Sequence, residues 1–137
     1  MERLKQRLAI AQVALASLQE ILRSTPASLV ERDAAIQRFE YTVEATWKAA
    51  QRHLDIREGL SAGSPKAAVR MCREVGLLDD EQATQALEMM DDRNLTVHTY
   101  NERVAQQIYA NLPRHAALLG QWLDRMKIQF DKSTDAG

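Results

Sequence analysis

Leu4, Leu8, Ala11, Leu15, Leu18 and Leu22 recur at alternating spacings of four and three residues. That spacing lays a narrow apolar seam along one side of a helix, of the kind that zips against another helix. The rest of the chain offers little else to fold. Only 5 Gly and 3 Pro occur, aromatics are 5% and runs of β-branched residues are lacking, so the frequent turns of a sandwich or barrel have no residues to make them. With 137 residues and 45% hydrophobic content, the chain suits one domain with its own core. The expected architecture is all-α, an antiparallel, up-and-down bundle of five to six helices joined by short loops.

The punctuation places the helices. Ser24-Thr25-Pro26-Ala27 closes the first, since the residue before a proline avoids the α region. A second helix runs from about Leu29 to Arg57, with Leu29, Ile36, Val43 and Ala50 seven apart and Phe39, Trp47 and Leu54 on the same face. Ser64-Pro65 reads as an N-cap followed by proline at the first helical position, and Gly76 stops that third helix. Asp79 and Gln82 form a capping-box pair, so a fourth helix follows and delivers Arg93 near its C-terminus. Asn101 caps a segment carrying Val104, Ile108 and Leu112, which Pro113 is expected to kink or restart. Leu119, Trp122, Leu123, Met126 and Phe130 then mark the final buried face. The single domain is expected to span 1–130, with 131–137 a disordered polar tail.

Cys72 is the only cysteine, which excludes an internal disulfide, and it has no cysteine or histidine at zinc-ligand spacing; His53, His98 and His115 show no such spacing either. No cofactor and no metal are expected. Glu2, Arg3, Lys5 and Arg7 interrupt the first apolar positions, leaving no signal-peptide core, and no apolar run reaches the ~20 residues of a membrane span. A cytoplasmic protein with no membrane partner is the expectation. Lysine plus arginine number 18 against 19 acidic residues, so the molecule has no overall positive field and any contact with nucleic acid must be local.

Chemistry concentrates in Arg93-Asn94-Leu95-Thr96-Val97-His98-Thr99-Tyr100, where a helix gives way to an irregular segment. This stretch resembles the signature of the HEPN superfamily, in which an arginine and a polar residue, here Asn94, precede a histidine after four to six positions. The resemblance extends to Phe39-Glu40-Tyr41-Thr42-Val43-Glu44-Ala45-Thr46-Trp47-Lys48, to the Ser64-Pro65 cap and to Val75-Gly76-Leu77-Leu78-Asp79-Asp80. Together these look like the branch of nucleotidyltransferase substrate-binding subunits, the HEPN half of HEPN and minimal-nucleotidyltransferase toxin–antitoxin pairs. The resemblance implies a homodimer working beside a separately encoded minimal nucleotidyltransferase. It implies a metal-independent endoribonuclease toxin acting on RNA, with Arg93 and His98 catalytic, Asn94 supporting and Tyr100 the AMP acceptor. It equally implies the alternative of a non-catalytic subunit that presents substrate to the nucleotidyltransferase.

The residues suit such chemistry on their own terms. Cleaving RNA through its 2′-hydroxyl needs a base, an acid for the leaving oxygen and positive charge on the phosphate. Histidine titrates nearest neutrality of all side chains and arginine offers a permanently charged fork. One chain carries one such histidine, so a two-fold axis would supply the second. The plainer reading is that Arg93 and His98 cap the fourth helix and its dipole, and that Tyr100 packs its ring. Asp91 and Asp92 count against phosphate binding unless they pair elsewhere. Lys66, Arg70 and Arg73 share a helix face of the kind usually solvated, Glu44 and Lys48 are spaced as an ordinary helical ion pair, and both tryptophans fall at packing positions. No phosphate-binding glycine loop or nucleotidyltransferase Gly-Ser signature occurs, so nucleotidyl transfer is not expected of this chain itself.

Overall fold

The computed structural model describes residues 1–23 and 28–136. It contains α1 (Glu2–Leu22), α2 (Leu29–His53) with a π-helical turn at Leu54–Glu58, α3 (Pro65–Glu74), α4 (Asp80–Leu95) with a 3-10 turn at Thr96–His98, and α5 (Glu102–Ala136). No strand occurs among the described residues, and the helices form the expected up-and-down bundle. The break expected at 24–27 lies outside the described residues.

The leucine seam of α1 packs within the chain. Leu4, Leu8, Ala11, Leu15 and Leu18 are all buried, facing α2 and α5. α2 contributes Ala35, Ile36, Phe39, Val43, Ala49 and Ala50, while α5 contributes Ile108, Leu112, Leu119, Trp122 and Met126. Trp122 is fully buried, as its position predicts. Trp47 is only partly buried and sends its Nε1 to Glu44 at 3.0 Å, so it covers the core edge and orders a surface carboxylate. Each fully buried leucine-sized side chain stabilises the bundle by ~1.5–3 kcal/mol relative to exposure.

The caps appear where the residues call for them. Ser28 and Ser64 accept from Glu31 N and Ala67 N, each at 3.1 Å. Asp79 and Gln82 complete a reciprocal capping box at 2.8 and 3.0 Å, and Gly76 takes the left-handed φ of 82°. Three features depart from expectation. The second helix gives way at Leu54 to a π turn that closes on Gly59, φ 66°. Pro113 neither ends nor restarts a helix but lies within a continuous α5. There it is exposed, and its ring nitrogen leaves the Tyr109 carbonyl without its helical N–H donor. Finally, α5 continues past residue 131, expected to begin a polar tail, to Ala136. The helix runs through the single Gly120 without a break, and Ser133 Oγ donates to Phe130 O at 2.8 Å.

Candidate functional site

The Arg93–Tyr100 segment is built by the way α4 stops. Thr96 Oγ1 donates to Arg93 O at 2.7 Å, Thr99 Oγ1 to Thr96 O at 3.2 Å and Asn101 N to His98 O at 3.0 Å. These bonds satisfy carbonyls that an ending helix leaves open and tighten the chain into the 3-10 turn. Thr96 is buried and anchors the turn. Asn101 Oδ1 then accepts from Arg103 N and Val104 N, starting α5 as an N-cap should. Buried Arg32 of α2 pairs with Glu102 and fixes the first turn of α5 beside Tyr100.

Those anchors leave His98 and Tyr100 on the surface. Tyr100 is 84% exposed, and its hydroxyl lies 3.3 Å from His98 Nδ1, with the rings edge to face. Arg93 faces elsewhere: its side chain is 29% exposed, and a terminal nitrogen reaches Glu44 Oε2 at 3.4 Å. Its Nε is buried without a hydrogen-bond partner among the described residues. Glu44 also accepts from the Trp47 indole and pairs with Lys48 at 3.4 Å. Burial alone would raise the Glu44 carboxyl, but Trp47, Lys48 and Arg93 outweigh it and hold the group below its usual range.

Arg93 stands between two clefts. One, of about 310 Å³, is lined by Arg93, Asn94, Glu44, Lys66, Met90 and the Ser64–Pro65 cap. The other, of about 240 Å³, is lined by Arg93, Glu44, Gln37, Glu40 and Tyr41. His98 and Tyr100 line neither. The chain thus brings Asn94 to Arg93 and Tyr100 to His98, but it does not hydrogen-bond Arg93 to His98.

The two aspartates beside Arg93 are both engaged away from it. Asp91 takes the Lys66 ammonium at 2.6 Å. Asp92 is buried, and its Oδ2 accepts from His115 Nε2 at 2.7 Å and from Asn111 Nδ2 at 3.1 Å. The His115 ring stacks on Phe39 with centroids 5.3 Å apart. Burial pushes His115 below the usual histidine range against the opposing pull of Asp92, so near neutrality the contact is an imidazole N–H on a carboxylate. This network ties the last turns of α4 to α5 beneath the motif. Sequence spacing gives no sign of it, because Asp92 and His115 are 23 residues apart on different helices. Glu44 as the partner of Arg93 is equally hidden behind its visible pairing with Lys48.

The all-helical bundle is the HEPN, nucleotidyltransferase substrate-binding type of fold. The chain belongs to the family described as nucleotidyltransferase substrate binding protein like, whose model matches residues 6–128. Among solved structures it is similar to the Thermus thermophilus protein ttk003001694, at 57% identity over 85% of this chain and 98% of that one, with a TM-score of 0.82. HI0074 from Haemophilus influenzae, described as the fold of a substrate binding domain of a nucleotidyltransferase, is 24% identical over 88% and 98% of the two chains, TM-score 0.74. The tri-AMPylated HEPN toxin of Shewanella oneidensis, in complex with its MNT antitoxin, is 16% identical over 91% and 96%, TM-score 0.76. The last two show the fold alone. No match was found among curated proteins.

Proposed function

We propose that this chain is the HEPN partner of a separately encoded minimal nucleotidyltransferase. Unmodified, it acts as a homodimeric, metal-independent endoribonuclease, and AMP transfer to Tyr100 switches it off. The observation that carries this reading is the exposed Tyr100 phenol resting on His98 Nδ1 at 3.3 Å. A phenol in the open is reachable by a partner's active site, and an imidazole with Nδ1 unprotonated can take its proton as the oxygen attacks the α-phosphorus of ATP and pyrophosphate departs. The AMP so added places a bulky anion against His98, which blocks entry of an RNA phosphate. In the nuclease state His98 serves as base or acid, with its symmetry mate supplying the second proton transfer. Arg93 grips the phosphate, and Asn94 supports it from the same cleft. The family description and the AMPylated toxin–antitoxin relative support the pairing with a nucleotidyltransferase.

A second reading has its own support. Arg93 is already paired with Glu44, and the net charge is −1, which favours a non-catalytic subunit that docks on the nucleotidyltransferase and presents substrate. Cleavage of single-stranded RNA in EDTA separates the two. The nuclease reading expects cleavage by the unmodified dimer, with a loss of ~10²–10⁴-fold in His98→Ala. It also expects impairment in Arg93→Lys, because an ammonium cannot reproduce the guanidinium fork. Wild-type cleavage no faster than His98→Ala, together with tight binding to the nucleotidyltransferase, selects the subunit reading.

A further inference from the structure

A third cleft, polar in its lining, lies where the start of α1 meets the end of α2. Its volume is about 300 Å³, and its lining includes Arg3, Arg7, Gln51, Arg52, Asp55 and Ser61. Arg3 and Arg7 are four apart on α1 and therefore share a face. Neither has a hydrogen-bond or ion-pair partner among the described residues. Arg52 reaches Asp55 at 3.4 Å, but its Nε is buried with no hydrogen-bond partner among the described residues. The wall opposite α1 is held in shape by Gln51 Nε2, which donates to Ala62 O at 2.7 Å and pins the loop that carries Ser61. Asp55 stands in the π turn, an irregularity common at functional sites. Three guanidinium groups against one carboxylate leave a surplus of 3 − 1 = 2 positive charges in one cleft.

We propose that this cleft binds the phosphate of a small phosphomonoester, a nucleoside monophosphate being the representative class. Guanidinium forks favour planar pairs of anionic oxygens, and two of the three here are free to supply them. A surplus of two charges matches the dianion of a monoester, whereas each diester of an RNA backbone carries a single charge. The segment between the π turn and α3 borders both clefts: Ser61 and Ala62 line this one, and Ser64, with Pro65 at the start of α3, lines the cleft beside Arg93 and Asn94. The proposal does not rest on the roles assigned to Arg93, His98 or Tyr100.

Calorimetric titration of the full chain at low ionic strength with AMP, adenosine and the diester ApA lacking a terminal phosphate provides the test. AMP is expected to bind saturably, with adenosine and ApA each about tenfold or more weaker. Arg3→Gln with Arg7→Gln is expected to weaken AMP by about tenfold or more, while Arg70→Gln, an exposed arginine elsewhere, leaves it unchanged. Asp55→Asn removes the one opposing charge and is expected to tighten AMP, a gain that a damaged fold would not produce. It decides the matter if the double variant fails to fold. Absence of saturable AMP binding, equal binding of adenosine or ApA, or indifference to both the arginine pair and Asp55 overturns the proposal.

Discussion

At the scale of single residues, the most consequential contact is the one between Asp92 and His115. Replacing Asp92 with Ala leaves the His115 N–H and the Asn111 amide without their acceptor. An unsatisfied buried donor costs ~1–3 kcal/mol, so Asp92→Ala is expected to lower unfolding free energy by at least that much in a urea titration. An effect below ~0.5 kcal/mol would mean the network is not closed as described. The same chemistry gives a pH dependence. His115 and His53 are both held below the ordinary histidine value of 6.5, chiefly by burial. The unfolded chain therefore binds protons at higher pH than the folded one. The stability linked to these residues is full above about pH 6.5 and is lost as pH falls through that value toward the folded ones. Urea midpoints measured from about pH 7.5 to about pH 5 are expected to fall in wild type and to fall less in His53→Gln; parallel curves would contradict this. None of it is legible from the chain. Asp91 and Asp92 stand out as charges next to Arg93, but whether an aspartate opposes a phosphate or binds a histidine is decided by which helix packs over it.

At the scale of elements, far more can be read. The α3 start at Ser64-Pro65, the Asp79 and Gln82 box, the Gly76 stop and the Asn101 cap all depend on bonds spanning two to four residues, which sequence states directly. Asp79→Ala is expected to cost ~0.5–2 kcal/mol, read as a lower thermal midpoint. What sequence cannot state is how two helices end or continue. Apolar periodicity carries the second helix to Arg57 because hydrophobic spacing does not distinguish ordinary helical bonds from the wider π bonds at Leu54–Glu58. Pro113 reads as an interruption because proline is normally one. In α5 the buried residues on either side, Leu112 and Ala116, hold the helix together across it. Pro113→Ala restores an N–H for the Tyr109 carbonyl and is expected to stabilise the protein by ~1–3 kcal/mol. A neutral or destabilising result would show that the helix bends at Pro113 to a shape the alanine cannot keep.

At the scale of the whole molecule, the α1 seam announces a helical bundle, and it is spent inside the subunit, against α2 and α5. A homodimer therefore draws no support from that seam. It rests on the single motif histidine per chain and on the chemistry that would need two. Light scattering of the unmodified protein at micromolar concentration is expected to give twice the 15.5 kDa of one chain. A monomer would remove the shared nuclease site while leaving the exposed Tyr100 as an acceptor. That acceptor role can be read most directly by intact-mass spectrometry after incubation with the cognate minimal nucleotidyltransferase, ATP and Mg²⁺. The expected result is an AMP adduct on wild type that disappears in Tyr100→Phe. An unchanged mass with an active partner, or an adduct that persists in Tyr100→Phe, would contradict it.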